Sequence, residues 1–144
     1  MPTKKLRLIP LLLLLLVMLT ACRRPQTYPL LAPQEEIVGI SLVAISFDQR
    51  GAVVETELCP IDDVTAFMAD FRALDCFTWY GDPLGVTEEG KNATAVKMMY
   101  HSGAYELIGW AGQSRYHPEN GFNYYAGYCV FDEASFTAFI NAYL

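Results

Sequence analysis

Apolar and polar positions follow two different periods along this chain, and each change of period predicts an element. Ile37 to Phe47 is an apolar run rich in β-branched residues and reads as a strand. Val38, Ile40 and Leu42 share one parity, whereas Val43, Ile45 and Phe47 continue on the other, so a bulge is expected near Leu42. Asp48, Gln49, Arg50 and Gly51 supply turn chemistry, which makes Val53 to Leu58 the second arm of a hairpin. The period then lengthens. Val64, Phe67, Met68, Phe71 and Leu74 fall at i, i+3, i+4, i+7 and i+10, one apolar stripe of a helix. Asp62 and Asp63 stand before that stripe, where a carboxylate accepts unpaired backbone N–H groups and faces the positive end of the helix dipole.

The second half returns to period two. Phe77 to Tyr80 predicts a short strand before a glycine-rich loop, and Thr94 to Tyr100 places Val96, Met98 and Tyr100 on one face. Ser102 and Gly103 turn the chain into a strand from Tyr105 to Trp110, and Gln113 to His117 follows as another. A last strand is expected from Phe122 to Phe131 after the turn at Asn120 and Gly121. A closing helix takes Asp132 as its cap, a Phe131 to Phe136 staple, and Phe136, Phe139, Ile140 and Tyr143 as its buried stripe. Two amphipathic helices need an apolar sheet face to cover. The expected fold is therefore α+β: an antiparallel sheet of about five to seven strands with both helices packed on one face.

The N-terminus has a different pattern. Lys4, Lys5 and Arg7 precede an apolar stretch from Leu8 to Ala21 that is too short to cross roughly 30 Å of hydrocarbon comfortably, and so suits the core of a signal peptide. It ends in Leu19, Thr20, Ala21 and Cys22, which resembles the lipobox of bacterial lipoprotein precursors. That resemblance implies cleavage before Cys22, lipidation of its thiol and a membrane anchor facing outside the cytoplasm. Arg23 follows the cysteine, so the Asp pattern of inner-membrane retention is not matched. The expected organisation is a signal peptide over 1–21, a proline-rich tether over 22–34 carrying Pro25, Pro29 and Pro33, and one domain over 35–144. Tyr28, Leu30 and Leu31 are the tether residues able to dock on the domain.

Charge narrows the partners. Loss of residues 1–21 removes three basic residues and leaves 7 basic against 16 acidic, a formal charge of −9 on 123 residues. Such a chain disfavours phosphate backbones, and no nucleic acid partner is expected. Three cysteines remain besides Cys22, and outside the cytoplasm Cys76 and Cys129 form the favoured disulfide pair, leaving Cys59 odd. The sequence offers no zinc spacing, EF-hand loop, phosphate-cradling glycine loop or serine elbow, so no catalytic motif, cofactor or metal is expected.

Aromatic residues make up 13% of the chain and crowd its second half. Trp79, Tyr80, Trp110, Tyr116 and Tyr125 are the candidate ligand-binding residues, because exposed amphipathic rings suit a glycan, a peptide or an envelope protein. The competing use of those rings is as ordinary strand and core residues. Two function classes follow: a membrane-anchored, non-catalytic binding module, or a small extracytoplasmic enzyme that pairs a cysteine thiol with His101 or His117.

Overall fold

A computed structural model of the chain describes residues 25–79, 91–123 and 129–144. Eight strands and two helices appear in the order β1 (Ile37–Phe47), β2 (Val53–Pro60), α1 (Val64–Arg72), β3 (Cys76–Thr78), β4 (Ala93–Tyr100), β5 (Tyr105–Ile108), β6 (Gln113–His117), β7 (Gly121–Asn123), β8 (Cys129–Phe131) and α2 (Glu133–Asn141). Six of the strands form one sheet in the order β2-β1-β4-β5-β6-β7, and β3 pairs with β8 in a separate ribbon. All named pairings are antiparallel.

Local chemistry explains the joints. Asp48 Oδ1 accepts 2.8 Å hydrogen bonds from the backbone of Arg50 and Ala52, and Gly51 takes φ +78°, which closes the β1–β2 hairpin. Gly103 at φ +82° turns β4 into β5. The bulge lies opposite Leu42 and Val43, whose partners are Cys59 and Glu57, so the extra residue is Leu58 on β2. β1 itself runs unbroken against β4 across this point. Asp63 caps α1 by accepting from Ala66 N at 2.9 Å, and Asp132 caps α2 by accepting from Ser135 N at 2.9 Å.

Both helices pack on the same face of the large sheet. Phe67, Met68 and Phe71 from α1 and Phe136, Phe139 and Ile140 from α2 share one core with Ile40, Leu42, Val96, Met98 and Ile108. The rings interlock, with Phe67 and Phe139 centroids 5.0 Å apart and the Phe131–Phe136 staple at 5.1 Å. Val43, Ile45, Ala95 and Leu107 form a smaller cluster on the opposite face, beside Tyr105. This is why the apolar residues of β1 change parity: the strand is next to the sheet edge, yet it contributes to clusters on both sides.

Two expectations are corrected. The last strand was expected to run from Phe122 to Phe131, but its ends belong to different sheets, β7 at the edge of the large sheet and β8 beside β3. A strand serving both would have to leave one ladder to join the other, and the Cys76–Thr78 partner for β8 was not visible in the period. The short strand expected over Phe77 to Tyr80 occupies Cys76–Thr78, and Tyr80 lies outside the described residues.

The described part of the proline-rich segment, from residue 25, is laid against the domain. Gln26 and Cys76 exchange backbone hydrogen bonds of 2.8 and 3.1 Å, forming an antiparallel bridge. Tyr28 is buried in the main core between Phe71 and Phe131, and Leu30, Leu31 and Ala32 pack on it. The segment ends in a 3-10 turn over Gln34–Glu36, tied to α1 by the Arg72 Nε to Gln34 Oε1 bond of 2.8 Å. Among the described residues no helix is long and apolar enough to cross a membrane.

Candidate functional site

Three sites hold chemistry, and the docked N-terminal segment builds two of them. The first is a buried polar cluster on the helix side of β5. Glu106 is fully buried, at 0% exposure, on a strand whose neighbours Leu107 and Ile108 are core residues. Its carboxyl oxygens accept from the Tyr100 hydroxyl, from the Tyr28 hydroxyl at 2.9 Å, from Leu31 N at 3.1 Å and from Arg115 Nε at 3.3 Å. Arg115 reaches on to Pro29 O at 2.8 Å. Burial, followed by the Glu106 carboxyl, raises the ionisation of Tyr28 and Tyr100 well above the ordinary phenol value. Burial works to lower the Arg115 pKa, but Tyr28 and Glu106 beside it outweigh burial and raise it. Every oxygen of a buried acid is thus satisfied, as low-dielectric burial demands.

The second is a pair of thiols on the small ribbon. Thr78 pairs with Cys129 and Cys76 with Phe131, which puts the two cysteines diagonally on one face. Both are buried free thiols lying against one another. Gln26 binds the pair from above: the Cys76 thiol donates to Gln26 O at 3.2 Å, and Gln26 Nε2 donates to Cys129 Sγ at 3.3 Å and to Thr78 Oγ1 at 2.7 Å. Hydrogen bonding from Cys76 draws the Cys129 thiol down to about 7 against the opposing effect of burial, with Gln26 and then Arg115 adding to the lowering. The same contact, with burial, pushes Cys76 far up.

The third is a cleft of about 190 Å³ between the start of β4, the β5–β6 loop and α2. Trp110 lines it over the core residues Phe136 and Ile140, and Asn92, Thr94, Glu133, Thr137 and Asn141 supply polar groups around the rim. The loop bearing Trp110 is fixed because its carbonyl accepts from Phe131 N at 2.8 Å, which ties β8 to the large sheet. The cleft thus brings one amphipathic ring, the apolar side chains of Phe136 and Ile140 and several amide, hydroxyl and carboxylate groups together.

Set against the sequence candidates, the aromatics separate. Trp110 lines the cleft, and Trp79 follows β3 with 43% exposure. Tyr116 stacks on Tyr105 at 4.8 Å on the sheet face away from the helices, where Lys97 lies 4.2 Å over the Tyr105 ring and pairs with Glu55 at 2.6 Å. Tyr80, Tyr125 and the proposed lipidation residue Cys22 lie outside the described residues. Among the described residues the thiol bonds run to Gln26, between Cys76 and Cys129, and, for Cys59, to Pro60 O and Tyr143 O, and neither His101 nor His117 takes part in these bonds. Among the described residues no cluster of three or more His, Cys, Asp or Glu could hold a metal ion.

Sequence reading did not identify Gln26, Glu106 or Arg115. A Glu in the otherwise apolar Tyr105–Ile108 strand was the available signal for a buried acid. Comparison with protein-family models, with curated proteins and with solved structures returned no match to this chain.

Proposed function

We propose that the chain is a lipid-anchored extracytoplasmic protein whose α+β domain is a non-catalytic binding module, with its ligand taken at the Trp110 cleft. The observation that carries this reading is Trp110 on the wall of a small pocket ringed by amide and hydroxyl groups. Its volume is below the roughly 300 Å³ of a pocket for a whole drug-sized molecule, so it suits one sugar ring or one polar side chain of a larger envelope glycan or peptide. The anchor rests on the Leu19, Thr20, Ala21, Cys22 resemblance. The test is capture of partners from the native envelope by the mature protein and its Trp110→Ala variant. Loss of the specific partner from the variant is the expected result, and an unchanged partner set overturns the cleft as the binding site.

A second reading is thiol chemistry, favoured by the two free thiols of Cys76 and Cys129 on one face of the ribbon, both bonded to the exposed Gln26. Its test is exchange with a small aromatic disulfide. Release of the aromatic thiol that vanishes in Cys129→Ser and stops at the mixed disulfide in Cys76→Ser would favour it; the absence of release would exclude it.

A further inference from the structure

The docked segment decides how far the domain can stand from a membrane. An expected tether over 22–34 would have let the domain roam, but the chain is fastened to β3 from Gln26 onward by two backbone hydrogen bonds and by the side-chain bond to Thr78. Only Arg23, Arg24 and Pro25 lie between Cys22 and that fastening. Fully extended, the four steps from Cys22 to Gln26 span at most about 14 Å.

The direction of the bridge shows where that short leash emerges. Gln26 and Cys76 pair antiparallel, so going backward from Gln26 towards Cys22 follows the same course as going forward from Cys76 to Thr78 and Trp79. The 2.7 Å bond from Gln26 Nε2 to Thr78 Oγ1 lies on that side. The anchor thus leaves the domain at the end where Trp79 is 43% exposed. Indole combines an apolar body with one N–H donor and favours the headgroup layer of a bilayer. We propose that this end of the β3–β8 ribbon is seated on the lipid surface, with Trp79 in the headgroup layer and the Trp110 cleft held at a fixed orientation above it. The seat rests on the lipid-anchor reading. The domain carries −9 after removal of residues 1–21, which opposes anionic lipid, while Arg23 and Arg24 on the leash attract it, so a zwitterionic surface isolates the contact made by the leash and the indole from bulk charge.

The experiment uses the processed, lipidated protein carrying Trp110→Phe, which leaves Trp79 as its one tryptophan. It is reconstituted into phosphatidylcholine vesicles with and without a phosphatidylcholine brominated near the headgroup. Flotation with the vesicles reports the anchor, and quenching of Trp79 emission reports the seat. Loss of most Trp79 emission in the brominated vesicles is expected. Recovery of that emission is expected when a Gly/Ser stretch of about 20 residues, with a root-mean-square span near 25 Å, is inserted between Arg24 and Pro25. A protein that fails to float overturns the anchor and the seat together. One that floats while Trp79 stays unquenched overturns the seat and leaves the anchor standing. Quenching that survives the insertion overturns the short leash as its cause.

Discussion

The Tyr28 hydroxyl donates a 2.9 Å hydrogen bond to Glu106 Oε2 across 78 positions of sequence, and both residues are buried. That bond joins the segment leading from the proposed anchor to the middle of the sheet. It also fixes the fate of a buried acid whose partners are Tyr28, Tyr100, Leu31 N and Arg115.

Removing one member of this cluster leaves the others buried and short of a partner. Tyr28→Phe deletes one donor and is expected to cost about 1–3 kcal/mol. Glu106→Ala strips both tyrosines and Arg115 of their common acceptor and is expected to cost about 3–5 kcal/mol. Urea unfolding measures both. A Glu106→Ala variant as stable as the wild type would show that the cluster does not hold the segment.

High pH should attack the same place. The folded values of Tyr28 and Tyr100 are raised above the ordinary 10.0, so their contribution to stability is fully present below pH 10.0. Above it the unfolded chain ionises while the folded phenols do not, and stability falls as pH climbs towards the folded values. Thermal unfolding across this range should show Tm level below pH 10.0 and declining above it, with a shallower decline in Tyr28→Phe. An equal decline in the variant would remove Tyr28 as a cause.

The thiols give a third expectation. Cys76 and Cys129 lie against one another, and the contact lowers Cys129 to about 7. Protein equilibrated with an oxidised low-molecular-weight disulfide should lose two hydrogen atoms per molecule, and the peptides containing Cys76 and Cys129 should become linked. Peptide mapping by mass spectrometry reads this directly. A link from either to Cys59, or two unlinked thiols, would contradict the pairing.

How much of this was legible depended on whether the signal was local. The stripe Val64, Phe67, Met68, Phe71 and the caps Asp63 and Asp132 are local, and both helices begin where that chemistry places them, but they end at Arg72 and Asn141, so Leu74 and Tyr143 of the expected stripes pack on the core from just beyond the helix ends. The change of parity at Leu42 reflects a strand that contributes to clusters on both faces, whereas the bulge opposite it is an extra residue, Leu58, on β2, which parity in β1 cannot locate. The split between β7 and β8 was not legible, because strand period says nothing about which ladder a strand joins. Prolines at 25, 29 and 33 suggested a tether, and it took the pairing of Gln26 with Cys76 and the burial of Tyr28 to show a docked one. Of the site residues, Trp110 was foreseeable as an aromatic beside a turn, whereas Asn92, Thr94 and Asn141 come to it only through packing of α2 on β4.

Membrane attachment through Cys22 underlies both the proposed function and the proposed seat, and fractionation of cells producing wild type or Cys22→Ser tests it most directly. The wild type should be recovered with membranes and released by detergent, and Cys22→Ser should lack the lipid-dependent mass increase and leave the lipidated membrane fraction. Wild-type and Cys22→Ser proteins recovered alike from membranes, with no lipid on the wild-type cysteine, would contradict the account.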